Sequence, residues 1–216
     1  QWDLQQAVYS SFDPGQAVDA AQDALCSITG TVRDAEEFKL LGEFVASGAY
    51  KQRLAPLNDI SGDTVVALEG IRDPGNLGTI LRTADSTGAG GVILVGESCD
   101  PFSVEAVRAS MGSLFAMKLA RTSFEELLRY KKERGASMIG LSLKGAAFDA
   151  DRPAPARAIV FMGNEQSGLP EHMEAACDAL VKLPMRGRAD SLNLAIATGV
   201  MLYDLWRRRG YDGARA

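Results

Sequence analysis

Histidine is almost missing from this 216-residue chain, where His172 is the only one. A Ser-His-Asp triad, a Cys-His dyad or a histidine-bearing zinc site would have to use it, and no suitable cluster surrounds it. His172 is therefore expected to be a surface or structural residue. Cysteine is scarce too. Cys26, Cys99 and Cys177 are odd in number, far apart and form no CxxC pair. That reads as three reduced thiols in a cytosolic chain, not a disulfide framework. No apolar run approaches the roughly 18–20 residues that a membrane-spanning helix requires, so no membrane partner is expected. No basic stretch followed by an apolar one opens the chain, which leaves a signal peptide unsupported. The chain starts at Gln1 and not at Met, and is expected to be trimmed at that end.

A basic excess is lacking as well. Net charge is −5, and residues 1–60, with nine acids and four bases, account for all of it. Nucleic-acid binders usually show the opposite balance, so any such reading must rest on local patches. What remains is ordinary globular material, 46% hydrophobic and 24% charged, in a length that suits one domain plus a short appendage.

Residues 1–60 read as a helical N-terminal extension. Apolar residues recur at helical spacing over 15–27 and 34–47, and the turn-formers of 55–63 suggest a linker. From residue 64 strand-like and helix-like segments alternate. Strands are expected at 64–70, 91–96, 116–120, 137–143, 158–163 and 179–185. Helices are expected at 76–88, 103–115, 123–135, 169–178 and 191–210. In the last of these Leu192, Ala195, Ile196, Gly199, Leu202, Leu205 and Trp206 would share one face. Such alternation predicts an α/β fold with a mostly parallel sheet and helices on both faces. Ligands in such folds bind where loops leave the carboxyl ends of the strands. Gly88–Gly91 precedes a strand and does not follow one, which argues against a nicotinamide-dinucleotide fingerprint.

Three segments at those carboxyl ends stand out. The first, 69–85, carries Pro74, Gly75 and Gly78 around Asn76, a tight turn into a helix, with Arg82 two turns in and expected to face the same way as Gly78 and Thr79. The second, 161–170, ends an apolar strand in Gly163, Asn164, Glu165 and Gly168; it fits neither a Walker loop nor GxGxxG. The third, 183–199, places Arg186 and Arg188 beside Ser191, expected to cap the last helix, with Asn193 in its first turn. Two arginines at a helix N-terminus make a local anion site.

Together the strings DPGNLGTILRTAD, MGNEQSGLP and LPMRGRADSLNLAIATG resemble the three signature motifs of the SpoU/TrmH family of RNA ribose 2′-O-methyltransferases, within the SPOUT superfamily. The resemblance spans about residues 64–210, and 61–216 is expected to be the catalytic domain. It implies S-adenosylmethionine as donor and no metal, a C-terminal deep trefoil knot, a homodimer and tRNA or rRNA as partner. It implies that backbone groups hold the donor's adenine among the knot loops. Gly163, Leu183 and Leu192 would line the donor pocket, with Met185 and Glu165 nearby. Asn76, Arg82, Glu165, Ser191 and Asn193 would form the catalytic and substrate-facing set.

The chain departs from the family at Asn164 and Gln166, where small residues are frequent, and at Asp85, where a neutral residue is common. The short acidic 1–60 region is also unlike the separate RNA-binding domain many relatives carry, and reads as the remnant or end of an RNA-binding region. A SPOUT base methyltransferase and a non-catalytic donor- or RNA-binding module are the alternatives; the set Asn76, Arg82, Glu165, Ser191 and Asn193 argues against the first, and the presence of Arg82 and Asn193 against the second.

Overall fold

Residues 54–147 and 153–214 are described by the computed structural model. The helices expected over 15–27 and 34–47 lie outside the described residues, as does Cys26. Six strands, β1 (Thr64–Glu69), β2 (Val92–Val95), β3 (Leu119–Thr122), β4 (Ser137–Ala147), β5 (Ala158–Met162) and β6 (Ala179–Lys182), form one sheet in the order β3-β2-β1-β5-β4-β6. Every pairing is parallel, so all six carboxyl ends open on one edge. Six helices pack around it: α1 (Pro74–Ser86), α2 (Val104–Ser110), α3 (Ser113–Ala116), α4 (Phe124–Arg134), α5 (Glu171–Ala175) and α6 (Leu194–Arg208).

Helices cover both faces, because the buried strands alternate their side chains between two cores. Val66 and Leu68 of β1 join α1 and α6 in one core, and Val65 and Ala67 join Leu127 and Tyr130 of α4 in the other. Helix α4 shows the local logic well. Ser123 accepts from the Glu126 N–H at its start, acids fill the first turn and bases the last, and Gly135 ends it in the left-handed region.

Several expected boundaries move. The helix expected over 103–115 breaks in two because Met111 and Gly112 both take positive φ. With Met117 then extended beyond α3, the strand expected at 116–120 starts later, at Leu119. The helix expected over 169–178 shrinks to five residues after Pro170. Strand β4 runs on to Ala147, but Val181 of β6 pairs with both Leu141 and Ala146, so residues 142–145 loop out of the ladder. Residues 55–63 are no linker. They form a short 3-10 turn (Leu57–Asp59), and Ile60 is fully buried, its carbonyl accepting the Tyr130 hydroxyl at 2.9 Å.

The apolar face of α6 is also rotated from expectation. Ala195, Ala197, Thr198, Met201, Leu202 and Leu205 turn inward, while Ile196 turns outward. Beyond its end, Arg209 donates to the carbonyls of Asp63 and Pro155 and to the Thr64 hydroxyl, tying the chain's close to the start of β1. His172 is exposed and packs edge-on against Phe124.

Helices α1 and α2 approach closely only because residue 78 has no side chain. A Cβ there would stand 2.4 Å from the Ala106 carbonyl oxygen and 2.6 Å from the Ala109 Cβ. Backbone cannot move as a side-chain end can, so Gly78→Ala should cost about 1–3 kcal/mol. Urea denaturation measures this, and an unchanged midpoint would show that α2 yields without strain.

Candidate active site

The carboxyl edge gathers groups from three distant stretches of chain. After β1 the backbone turns at Gly70, φ +58°, and Asp73 caps α1 by accepting the Asn76 N–H at 2.7 Å. This fixes Asn76 in the first helical turn. After β5 the loop from Gly163 to Leu169 folds back on itself. A Cβ on Gly163 would meet the Gly168 carbonyl carbon at 2.2 Å, so only glycine fits. Asn164 pins the loop. Its amide donates to the Gly70 carbonyl at 2.7 Å, and its oxygen accepts the Gln166 N–H at 2.9 Å.

That loop delivers Glu165 to the turn after β1. One carboxylate oxygen accepts from the Asp73 N–H at 3.2 Å and the Asn76 amide at 3.4 Å. The other accepts from the Arg72 N–H and the Asn164 amide, each at 3.4 Å. The Asn76 oxygen in turn accepts the Asn193 amide at 2.9 Å. Asn193 caps α6, accepting the Ala195 and Ile196 N–H groups at 2.9 and 3.3 Å. Glu165, Asn76 and Asn193 thus form one relay across the three segments.

Two expected site residues stand apart. Ser191 does not cap α6; Asn193 does, because its side-chain oxygen reaches two free N–H groups. Arg82 is outside the relay. It shares the exposed side of α1 with Thr79, as expected, whereas Gly78 faces α2, so the expected face holds for Thr79 and not for Gly78. The Arg82 guanidinium makes no hydrogen bond or ion pair with the described residues. It stands about 9 Å along the helix from Asn76, at 1.5 Å per residue.

Beside the relay lies a cavity of about 370 Å³. Gly163, Glu165, Leu183, Met185, Ser191 and Leu192 all line it, so the expected pocket residues are brought together. Leu183 is buried and Met185 half-buried, and both pack on the core. The far wall holds residues that sequence reasoning missed. Ser142 and Lys144 come from the looped-out part of β4, and Glu174 comes from α5. No sequence signal marked them: Glu174 is the one buried residue of a short helix in which Glu171, His172 and Ala175 are exposed. Hydrogen bonds from Ser142 and Lys144 hold the Glu174 carboxyl below its ordinary pKa. Cys99 lies near the relay, and burial, reinforced by the carboxylates of Glu165 and Asp73, pushes its thiol up to about 11. Among the described residues no group of three or more His, Cys, Asp or Glu is placed to hold a metal.

Comparison with known proteins supplies the wider setting. The profile of the SpoU rRNA Methylase family matches residues 63–203. A protein of Staphylococcus haemolyticus assigned to the TrmH family of tRNA/rRNA methyltransferases is 31% identical over 83% of this chain and 70% of its own length. The 23S rRNA (uridine(2479)-2′-O)-methyltransferase of Streptomyces viridochromogenes is 37% identical over 63% of this chain and 50% of its own. The crystal structure of an AdoMet-bound rRNA methyltransferase from Sinorhizobium meliloti superposes with a TM-score of 0.68 at 50% identity, over 72% of this chain and 61% of that one. The chain therefore spans less than two thirds of the latter two.

Asn193 has two separable jobs. Asn193→Asp keeps an acceptor for the α6 N–H groups but loses the donor to Asn76. Asn193→Ala loses both. Alanine should cost about 1 kcal/mol of stability, the usual value of an N-cap, and aspartate clearly less. Equal losses in chemical denaturation would show that the link to Asn76, and not the cap, carries the stability.

Proposed function

The chain belongs to the SpoU rRNA Methylase family of S-adenosylmethionine-dependent RNA methyltransferases, and on that premise we propose that it methylates a ribose 2′-hydroxyl of tRNA or rRNA. The observation that carries this reading is the relay: three segments that resemble the family's motifs meet through Glu165, Asn76 and Asn193 at the rim of one cavity.

The cavity suits the donor. Its volume falls within the range of about 300–1,000 Å³ usual for cofactor sites. Leu183, Met185 and Leu192 supply apolar walls, and the glycine-tight 163–169 loop leaves backbone groups along the rim. S-adenosylmethionine, when bound, supplies a methyl group on a sulfonium, an electrophile strong enough to need no metal. The protein's task is then alignment and charge control. A ribose hydroxyl is a poor nucleophile at neutral pH and is what distinguishes RNA from DNA. Arg82, exposed and without a side-chain partner among the described residues, is free to meet an anion. A guanidinium keeps its proton in proteins, so Arg82 acts by binding phosphate or stabilising the developing alkoxide, not as a literal base. Glu165 and Asn76 hold the turn from which the Arg82 helix springs. In this reading Ser191 and the remaining amide hydrogen of Asn193, at the α6 N-terminus and close in sequence to Arg186 and Arg188, grip ribose or phosphate.

The same reading extends to organisation. Residues 61–216, with the 55–60 turn packed against them, are the catalytic unit, and the region before them is the remnant or end of an RNA-binding region. The loops 141–144, 163–169 and 183–192 share one cavity, which fits their being the crossing segments of a deep trefoil knot. Leu192, Ile196, Val200 and Tyr203 form an exposed apolar stripe that runs from just before α6 into its second half, with Ile196 57% and Tyr203 46% accessible. Such a stripe suits the face of a homodimer. The thiols of Cys99 and Cys177, held protonated by burial, and the RNA substrate suit a cytoplasmic setting. No helix among the described residues is long and apolar enough to cross a membrane.

Two experiments test this. Arg82→Ala should cut single-turnover methylation by at least about a hundredfold while leaving donor affinity nearly unchanged, the scale of losing one preorganised electrostatic group. Arg82→Lys should also be poor, since an ammonium lacks the planar fork. Calorimetry with S-adenosylhomocysteine reads the binding arm, and normal transfer by Arg82→Ala would remove its catalytic role. For assembly, light scattering at micromolar concentration should report a dimer that Val200→Asp converts to monomer. A monomeric wild type would sink the dimer.

A further inference from the structure

Glu174 lies outside all three motif-like segments, yet its carboxylate is the most buried charge on the cavity wall, with the residue only 9% accessible. An isolated carboxylate in that position would be costly. It is not isolated. One oxygen accepts the Ser142 hydroxyl at 2.6 Å, and the other accepts the Lys144 ammonium at 3.0 Å. The Ser142 oxygen also accepts the Lys144 N–H at 3.2 Å, closing a tight turn.

Those two partners belong to the four residues that β4 loops out of its ladder with β6. Residues that leave the ladder are held by other contacts than its hydrogen bonds. On one side it is braced by glycine: a Cβ on Gly145 would stand 2.6 Å from the Val181 carbonyl carbon, so the loop lies directly on the β6 backbone. Among the described residues, the side-chain hydrogen bonds that tie it to another element are those to Glu174. Ser142, Leu143 and Lys144 all line the cavity, as do Leu183, Met185 and Leu192.

We propose that Glu174 is a positioning residue for the methyl donor: through Ser142 and Lys144 it clamps the looped-out part of β4 as one wall of the donor cavity, so that donor affinity depends on the clamp. The clamp rests on the reading of this cavity as the donor site. It acts through a charge and two hydrogen bonds, so its parts can be removed separately. Glu174→Gln keeps a hydrogen-bonding group opposite Ser142 and loses the ion pair. Glu174→Leu loses both and leaves a buried apolar side chain of similar bulk.

The test is calorimetric titration of the full chain with S-adenosylmethionine and with S-adenosylhomocysteine, beside a thermal melt of each variant. The wild type binds both. Glu174→Leu should bind each at least about tenfold more weakly, and Glu174→Gln should fall between, with melting within a few degrees of wild type. In turnover, the KM for donor should rise more than kcat falls, a split that general loosening of the fold would not give. If the wild type binds and a folded Glu174→Leu binds within twofold of it, the clamp is wrong and the donor site stands. Should Glu174→Leu fail to fold, Ser142→Ala decides, since it cuts the hydroxyl link without leaving a new charge: weaker donor binding supports the clamp, and unchanged binding overturns it. A wild type that binds neither compound overturns the donor-site reading itself.

Discussion

A carboxylate with four oxygen lone-pair directions can satisfy several donors at once, and Glu165 uses this to hold the carboxyl edge together. The turn after β1 presents N–H groups at Arg72 and Asp73 that precede the first helical hydrogen bond of α1, so no carbonyl of that helix can take them. Glu165 takes both. Because it rides on a loop whose start admits only glycine, and which Asn164 staples to Gly70, the carboxylate cannot be displaced without unmaking the end of β5. Asn76 passes the constraint onward to the cap of α6. The cavity rim, the entry to the last helix and the direction of α1 follow from that one acceptor.

How much of this was legible follows from the kind of signal each element carries. The buried strands β1, β2 and β5 are short apolar runs bounded by glycine, and they fall within a residue of expectation. Helix α4 was equally plain, with Ser123 at one end and Gly135 at the other. The break at Met111 was not, because a methionine in the left-handed region has no compositional mark; only Gly112 beside it hints at a turn. The looping of β4 escaped for a different reason. Register is a relation between two strands, and nothing within residues 137–147 states where Val181 will lie.

The site divides along the same line. Glu165, Asn76 and Asn193 could be named because they sit in distinctive strings, and the structure joins them. Their partners could not be assigned, since an N-cap can be served by any of several polar residues nearby. Ser191 was expected as the cap with Asn193 in the first turn, and geometry chose Asn193, whose oxygen reaches two N–H groups. The Gly78 and Arg82 pairing failed because i, i+4 spacing locates neighbours but not which of them a packed helix will cover. Asn164 and Asp85, the departures from the family's pattern, both have structural work here: one staples its loop, and the other accepts the Ser113 hydroxyl at 2.7 Å.

The strand order has a consequence for how this chain is made. Strand β1 is central, and one of its edges pairs with β2, some thirty residues on, while the other waits for β5, which ends at Met162. Until that stretch has left the ribosome, an apolar strand stands with a free ladder edge, the form most prone to pair with a neighbour. Synthesis at about 5–20 residues per second leaves that edge open for several seconds on every molecule. Parallel pairings at such separation are also slow to close. The edge that ends up deepest in the sheet is thus the one exposed longest on a nascent chain, which makes this protein a natural client for chaperones that shield unpaired strands.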